Sequence, residues 1–218
     1  MKILIVDDHL MFAQAMRTLL TGEDDVESVS VAGSAEDALR QCGDECPDVV
    51  LMDVDLPGEN GIAATRDVLR TCPSAEIVII TALQDPHLIA RAVEAGAAGF
   101  VSKTRAADEL TGMIRAAAAG EMVLPEEQAG EILRQLQSSR RRSVVEGPEA
   151  QLSERELEVL QAFADGLTTE QVAAHLFISE RTVQSHIRSV LSKLDLHSKL
   201  QAVLWALRQG LIRLRPIE

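Results

Sequence analysis

The chain has 218 residues, a formal net charge of −13 and three cysteines, and its length suits two modest domains. Cys42, Cys46 and Cys72 are odd in number and complete no metal-ligand set; reduced structural thiols are expected, with the Cys42-x-x-x-Cys46 spacing redox-active only in principle. No apolar run approaches the roughly 20 residues that span a bilayer, and the run Ile3–Val6 is too short for a signal peptide, so a cytoplasmic protein with no membrane partner is expected.

In chain order, five strand–helix units are predicted to about Gly120: strands near 2–6, 26–32, 48–53, 76–80 and 99–102, and helices near 9–21, 34–42, 61–70, 86–94 and 104–119. The second strand alternates Val with polar residues and reads as an edge strand. Ser34 with Asp37 marks a helix start, and Gly22 and Gly43 punctuate helix ends. Strands alternating with helices imply an α/β doubly wound parallel sheet, whose ligands gather at the carboxyl ends of the strands. Asp7 and Asp8, Asp53, Thr81 and Lys103 each follow a short apolar run and so share that address. Three carboxylates, a hydroxyl and an ammonium in one crevice suit a divalent cation such as Mg²⁺ together with a phosphoryl group. His9 and His87 stand at helix starts, where exposed capping is the default against a catalytic-base role.

Residues 123–150 form a linker. Ile132, Leu133 and Leu136 recur at helical spacing between Pro125 and Gln137, and Arg140, Arg141 and Arg142 read either as a solvated charge run or as a basic tether touching DNA phosphates. The negative charge belongs to the first part: residues 1–122 carry 9 Lys/Arg against 21 Asp/Glu, while 151–218 carry 8 and 8. Within 151–218 four helices are predicted, with capping boxes at Ser153-x-x-Glu156 and Thr168-x-x-Gln171 and a cap at Ser179. From Arg181 to Arg215 seven cations face only Asp195, which gives a basic surface. In the third of these helices Val183, Ile187, Val190, Leu191 and Leu194 form an apolar stripe. The opposite face carries Arg181, Gln184, Ser185, Arg188 and Ser192, donors suited to base edges and phosphates in a major groove. Thr182, His186 and Lys193 complete the expected DNA contacts. In the last helix, near 198–209, Val203, Trp205 and Ala206 give a partly apolar exposed side; the alternative is that Trp205 packs into the small core.

The stretches Asp53-Val-Asp-Leu-Pro-Gly-Glu-Asn-Gly61 and Gly96-Ala-Ala-Gly-Phe-Val-Ser-Lys103 resemble the receiver domain of bacterial two-component response regulators. Leu152-Ser-Glu-Arg-Glu-Leu-Glu-Val-Leu160, Gly166-Leu-Thr-Thr-Glu-Gln-Val-Ala173 and Ile178-Ser-Glu-Arg-Thr-Val-Gln-Ser-His-Ile-Arg188 resemble a LuxR-type helix-turn-helix domain. Together the chain is similar to the NarL/FixJ family. The resemblance implies a flavodoxin-like five-stranded receiver (1–122) followed by an all-α four-helix DNA-binding domain (151–218). It further implies that Asp53 accepts a phosphoryl group from a histidine kinase. Mg²⁺ would be held by Asp7, Asp8, Asp53 and the backbone carbonyl of Asp55, with Thr81 and Lys103 contacting phosphate and Phe100 moving in response to Thr81. Gln184, Ser185 and Arg188 become the main base-side contacts of a homodimer on promoter DNA, and the resemblance implies a dimerisation role for the side of the last helix that bears Val203, Trp205 and Ala206. Where many receivers have a proline after the lysine, Thr104 stands here, and Gln184 replaces a common lysine. The alternatives are a phosphate-independent pseudo-receiver that still binds DNA, and a phosphatase using the Asp53-Val54-Asp55 pair; the second requires that pair on the first strand, where Asp7-Asp8 stands instead.

Overall fold

Near-continuous apolar runs specify strands covered on both faces, and the computed structural model of the protein has them at the centre of its sheet. It describes residues 1–58, 60–81, 86–103, 107–124 and 152–214, in two units, 1–125 and 126–218. Strands β1 (Lys2–Val6), β2 (Ser28–Ala32), β3 (Val49–Asp53), β4 (Glu76–Thr81) and β5 (Gly99–Ser102) pair in parallel in the order β2-β1-β3-β4-β5. Every residue of β3 is buried, as is all of β1 and β4 after the first residue, whereas β2 is the alternating edge strand anticipated above. The intervening helices are α1 (Leu10–Thr21), α2 (Ala35–Asp44), α3 (Gly61–Thr71), α4 (Pro86–Ala95) and α5 (Ala107–Ala118).

The pleat sends alternate side chains to opposite faces. Ile3, Ile5, Val49, Leu51, Val78, Ile80 and Val101 meet α1 and α5 through Ala13, Met16, Leu20, Leu110, Ile114 and Ala117. Each fully buried aliphatic side chain contributes roughly 1.5–3 kcal/mol relative to exposure, so slipping one strand by a residue would expose its whole inward set. In-register pairing of Val6 with Met52, Asp53 with Ile80 and Thr81 with Ser102 makes the carboxyl ends of β1, β3, β4 and β5 nearly flush.

Three expectations about this unit need correction. Val123, placed at the start of the linker, belongs to the sheet unit: it is 3% exposed, forms a bridge with Gly99, and its carbonyl accepts from Phe100 N at 2.8 Å. A Cβ on Gly99 would come within 2.4 Å of Val123 Cβ, so only glycine permits this approach. Gly43 lies inside α2, which runs on to Asp44. Cys46 and Cys72 are joined in a disulfide, with Cα atoms 5.6 Å apart, leaving buried Cys42 as the free thiol. Local spacing drew attention to Cys42 and Cys46, but the tertiary fold pairs Cys46 with the residue that ends α3.

The second unit contains α6 (Glu154–Ala164), α7 (Thr169–Leu176), α8 (Glu180–Leu194) and α9 (Lys199–Gln209). Both capping boxes form, and Ser179 and Ser198 cap α8 and α9. Val183, Ile187 and Val190 are buried, with Leu191 and Leu194 half-buried, as the stripe on α8 required. In α9, Val203 and Ala206 are fully buried among the core residues, contrary to their expected exposure; Trp205 is half-buried. Gln201, Arg208 and Gln209 gather on the side of Trp205, which leaves Leu200, Val203, Leu204 and Leu207 as the inward stripe. The expected linker helix and Arg140–Arg142 lie outside the described residues. Among the described residues no helix is long and apolar enough to cross a membrane.

Candidate functional site

Asp53 ends β3 and is 2% exposed; Asp7 follows β1 and is 1% exposed. The order of strands reverses between β1 and β3, which places both carboxylates at the switch point of the sheet. Lys103, one residue beyond β5, reaches across: its Nζ is 2.7 Å from Asp53 Oδ2 and 2.8 Å from Asp7 Oδ2. The ammonium also lies 5.1 Å from the centre of the Phe12 ring. Lys103 N donates to the Thr81 carbonyl at 3.1 Å, which ties the lysine to the end of β4. Thr81 is 5% exposed and Phe100 2% exposed.

Burial pushes the Asp53 carboxyl above its ordinary range and the charge of Asp7 adds to that, while the hydrogen bond from Lys103 pulls the other way. Burial would lower Lys103, but its hydrogen bond to Asp53 and the charges of Asp53 and Asp7 beside it outweigh that and hold the ammonium above its usual value. The Lys103 ammonium thus stands between the Asp53 and Asp7 carboxyl groups. Asp55 is exposed, and its backbone N–H donates to Asp53 Oδ1 at 3.4 Å.

Ligand atoms of Asp7, Asp8, His9 and Asp53 all lie within 4.8 Å of one another. Asp7 Oδ2, although close to Lys103 Nζ, has no donor in hydrogen-bond geometry. A buried anionic oxygen in a mostly carboxylate set fits a hard divalent cation such as Mg²⁺. His9 was not foreseen in this cluster. It occupies the position before α1 but makes no side-chain cap; its Nδ1 lies 2.8 Å from Asp8 Oδ1, and its N–H donates to Asp7 Oδ1 at 2.8 Å.

Gly61, the first residue of α3, packs directly on this site. A Cβ there would stand 1.8 Å from the Asp53 carbonyl oxygen, and Gly61 N donates to Val54 O at 3.0 Å. Asn60 caps the helix, accepting from Ile62 N at 2.9 Å. The Asn-Gly pair thus lets a helix begin against the backbone of the residue after which it is built.

On α8, Arg181, Gln184, Ser185, Arg188 and Ser192 are all exposed on the face opposite the core stripe. Thr182 and His186 are half-buried on its flank, and Thr182 Oγ1 is 2.8 Å from Ser179 Oγ. Lys193 is differently placed from its expected role. Its Nζ lies 2.8 and 2.7 Å from the two oxygens of Glu156, a residue 3% exposed that also accepts from Ser189 Oγ at 2.7 Å. Burial opposes ionisation of Glu156, but the bonds from Lys193, Ser189 and Ser153 hold its carboxyl down at about 2. Sequence signals marked Glu156 only as the end of a capping box; its second role spans 37 residues and left no local trace.

The residue patterns match two family descriptions, "Response regulator receiver domain" over residues 3–115 and "Bacterial regulatory proteins, luxR family" over residues 150–206. The transcriptional regulatory protein LiaR of Bacillus subtilis (strain 168) is 34% identical over 211 residues, covering 97% of this chain and 99% of that protein. The response regulator UvrY of Escherichia coli (strain K12) is 33% identical over 214 residues, covering 96% and 95%. Among solved structures, the response regulator ChrA of a heme-sensing two-component system is 32% identical, with a TM-score of 0.50 over 97% of this chain and 98% of that one.

Proposed function

This chain belongs to the two-component response regulators that join a receiver domain to a LuxR-type DNA-binding domain, and from that premise we propose that it is a cytoplasmic transcription regulator switched by phosphorylation of Asp53. The supporting observation is the grip of one ammonium, Lys103, on the two buried carboxylates at the switch point of the sheet. An Asp53 oxygen attacks the phosphorus of a kinase phosphohistidine; the P–N bond breaks, and the imidazole leaves with a proton. In this reading Lys103 and Thr81 meet the oxygens of the new acyl phosphate. Asp7, Asp8, Asp53 and the Asp55 carbonyl would hold Mg²⁺, which supplies charge neutralisation for the transferring phosphoryl group. The same groups assist later hydrolysis, and no other enzymatic activity is proposed.

The response is a shift between populations: Thr81 drawn toward the phosphoryl oxygens vacates space for Phe100, favouring a state that dimerises and binds promoter DNA. Arg181, Gln184, Ser185 and Arg188 read the major groove from α8, with Thr182 and His186 toward phosphate. Val203 and Ala206 take no part in a dimer contact in this reading; Trp205 remains its one candidate on α9. The test is incubation with acetyl phosphate and Mg²⁺, followed by intact-mass measurement. A single base-labile adduct of one phosphoryl group, absent from Asp53→Asn, is expected. Equal labelling of that variant would overturn the assignment, and unlabelled protein that binds promoter DNA fully would favour the pseudo-receiver alternative.

A further inference from the structure

The cysteines stand apart from the phosphoryl site, yet they bracket it. Cys46 precedes β3 and Cys72 follows α3, so their bond joins positions 26 apart in sequence and closes a loop containing Asp53 and all of α3. One end of α3 is seated on the Asp53 carbonyl through Gly61, and the other is fastened at Cys72. Cys72 is fully buried, with its Sγ 3.3 Å from the Cys42 carbonyl oxygen of α2, whereas Cys46 is exposed. The two sulfurs are therefore unequal: a reagent in solution reaches Cys46 and not Cys72.

We propose that Cys46–Cys72 is a reversible thiol–disulfide site at which a low-molecular-weight thiol adds to Cys46, loosening the loop that carries the phosphoacceptor. A thiolate R–S⁻ attacks Cys46 Sγ; the Cys46–S–S–R bond forms, the bond to Cys72 breaks, and Cys72 leaves as a thiolate that takes up a proton. A second thiolate attacks the sulfur of R, releasing R–S–S–R and leaving the Cys46 thiolate. The oxidised low-molecular-weight disulfide drives the same steps backward. Cys42 takes no part: burial raises its pKa and so holds it as the thiol, out of exchange. Reversibility rests on the reading of the chain as a regulator in the reducing cytoplasm, where disulfides are usually transient and redox-sensing.

The experiment uses the full chain equilibrated in glutathione buffers of graded ratio, quenched in acid, alkylated under denaturing conditions and mapped by mass spectrometry. Oxidising buffer should leave Cys42 alone alkylated, and reducing buffer should open the native pair to give all three, with Cys46 carrying the glutathione adduct at intermediate ratios. The receiver's thermal transition, followed by circular dichroism, should fall by several degrees on reduction, and Cys46→Ser should sit at the reduced value in either buffer. Three alkylated cysteines in oxidising buffer, a Cys42–Cys46 pair, or a native bond that excess glutathione leaves closed would each overturn the proposal. None of these readouts needs a phosphodonor or DNA, so they fail or succeed independently of the phosphorylation assay.

Discussion

Replacing Glu156 by Gln removes the charge that Lys193 and Ser189 hold in the core of the DNA-binding unit. Gln serves equally at the third position of a capping box, so the N-terminus of α6 is preserved. The carboxyl is held at about 2 against an ordinary 4.5. At 1.36 kcal/mol per pKa unit, that difference corresponds to roughly 3 kcal/mol of folding free energy. Because the folded pKa is depressed, the contribution is fully present above the unfolded value of 4.5 and is lost as pH falls toward 2. Trp205 is the chain's one tryptophan and lies in α9, so its emission follows unfolding of this unit within the intact protein. Urea titrations should show Glu156→Gln less stable than the parent by up to about 3 kcal/mol at pH 6. The gap should shrink steadily from about pH 4.5 downward. A gap that stays the same at pH 3 and pH 6 would refute the charge argument. Lys193→Met strands the carboxylate instead; it should destabilise by up to about 3 kcal/mol, discounted from the fully buried range because Lys193 is partly exposed.

Gly61→Ala drives a Cβ into the Asp53 carbonyl oxygen and should slow phosphorylation by acetyl phosphate at least tenfold while leaving Trp205 unfolding unchanged; parent-like labelling would mean that α3 moves freely. Asp8→Ala should weaken Mg²⁺ binding strongly, as read by direct calorimetric titration, since hard-cation sites depend on each carboxylate. Gln184→Ala should relax sequence preference by about 1–3 kcal/mol per lost base contact with little change in salt dependence; equal loss on specific and scrambled duplexes would show that it reads no base. Residues 151–218 alone should shift promoter DNA without a phosphodonor; binding no better than that of the unphosphorylated full chain would exclude relief of inhibition as the mechanism.

The meeting of Asp7, Asp53, Thr81 and Lys103 was legible because each follows an apolar run, and parallel strands of similar length end together. The exposed face of α8 was legible because one helix carries both its core stripe and its polar opposite. Lys193 was not, since its role depends on Glu156 in another helix, and a lysine at a helix margin looks alike whether it points to phosphate or to a buried carboxylate. His9 announced a helix start but not that its ring would turn toward Asp8. Disulfide partners are likewise set by the fold: Cys46 and Cys72 meet only because α3 returns antiparallel to β3. Periodicity in α9 marks Val203 as inward, because Gln201, Arg208 and Gln209 gather around Trp205; the exposure expected of Val203 and Ala206 followed the family resemblance instead of that pattern.

The docking of Val123 against β5 bears on how this receiver can be joined to other modules. A graft cut after residue 122 would remove the acceptor of the Phe100 N–H and uncover the flank of Gly99. An unpaired buried amide costs about 1–3 kcal/mol, and here the cost would fall on β5, which bears Phe100. A chimera spliced after Leu124 keeps that amide paired, so the exchangeable module ends two residues beyond the apparent close of its last helical turn and loop.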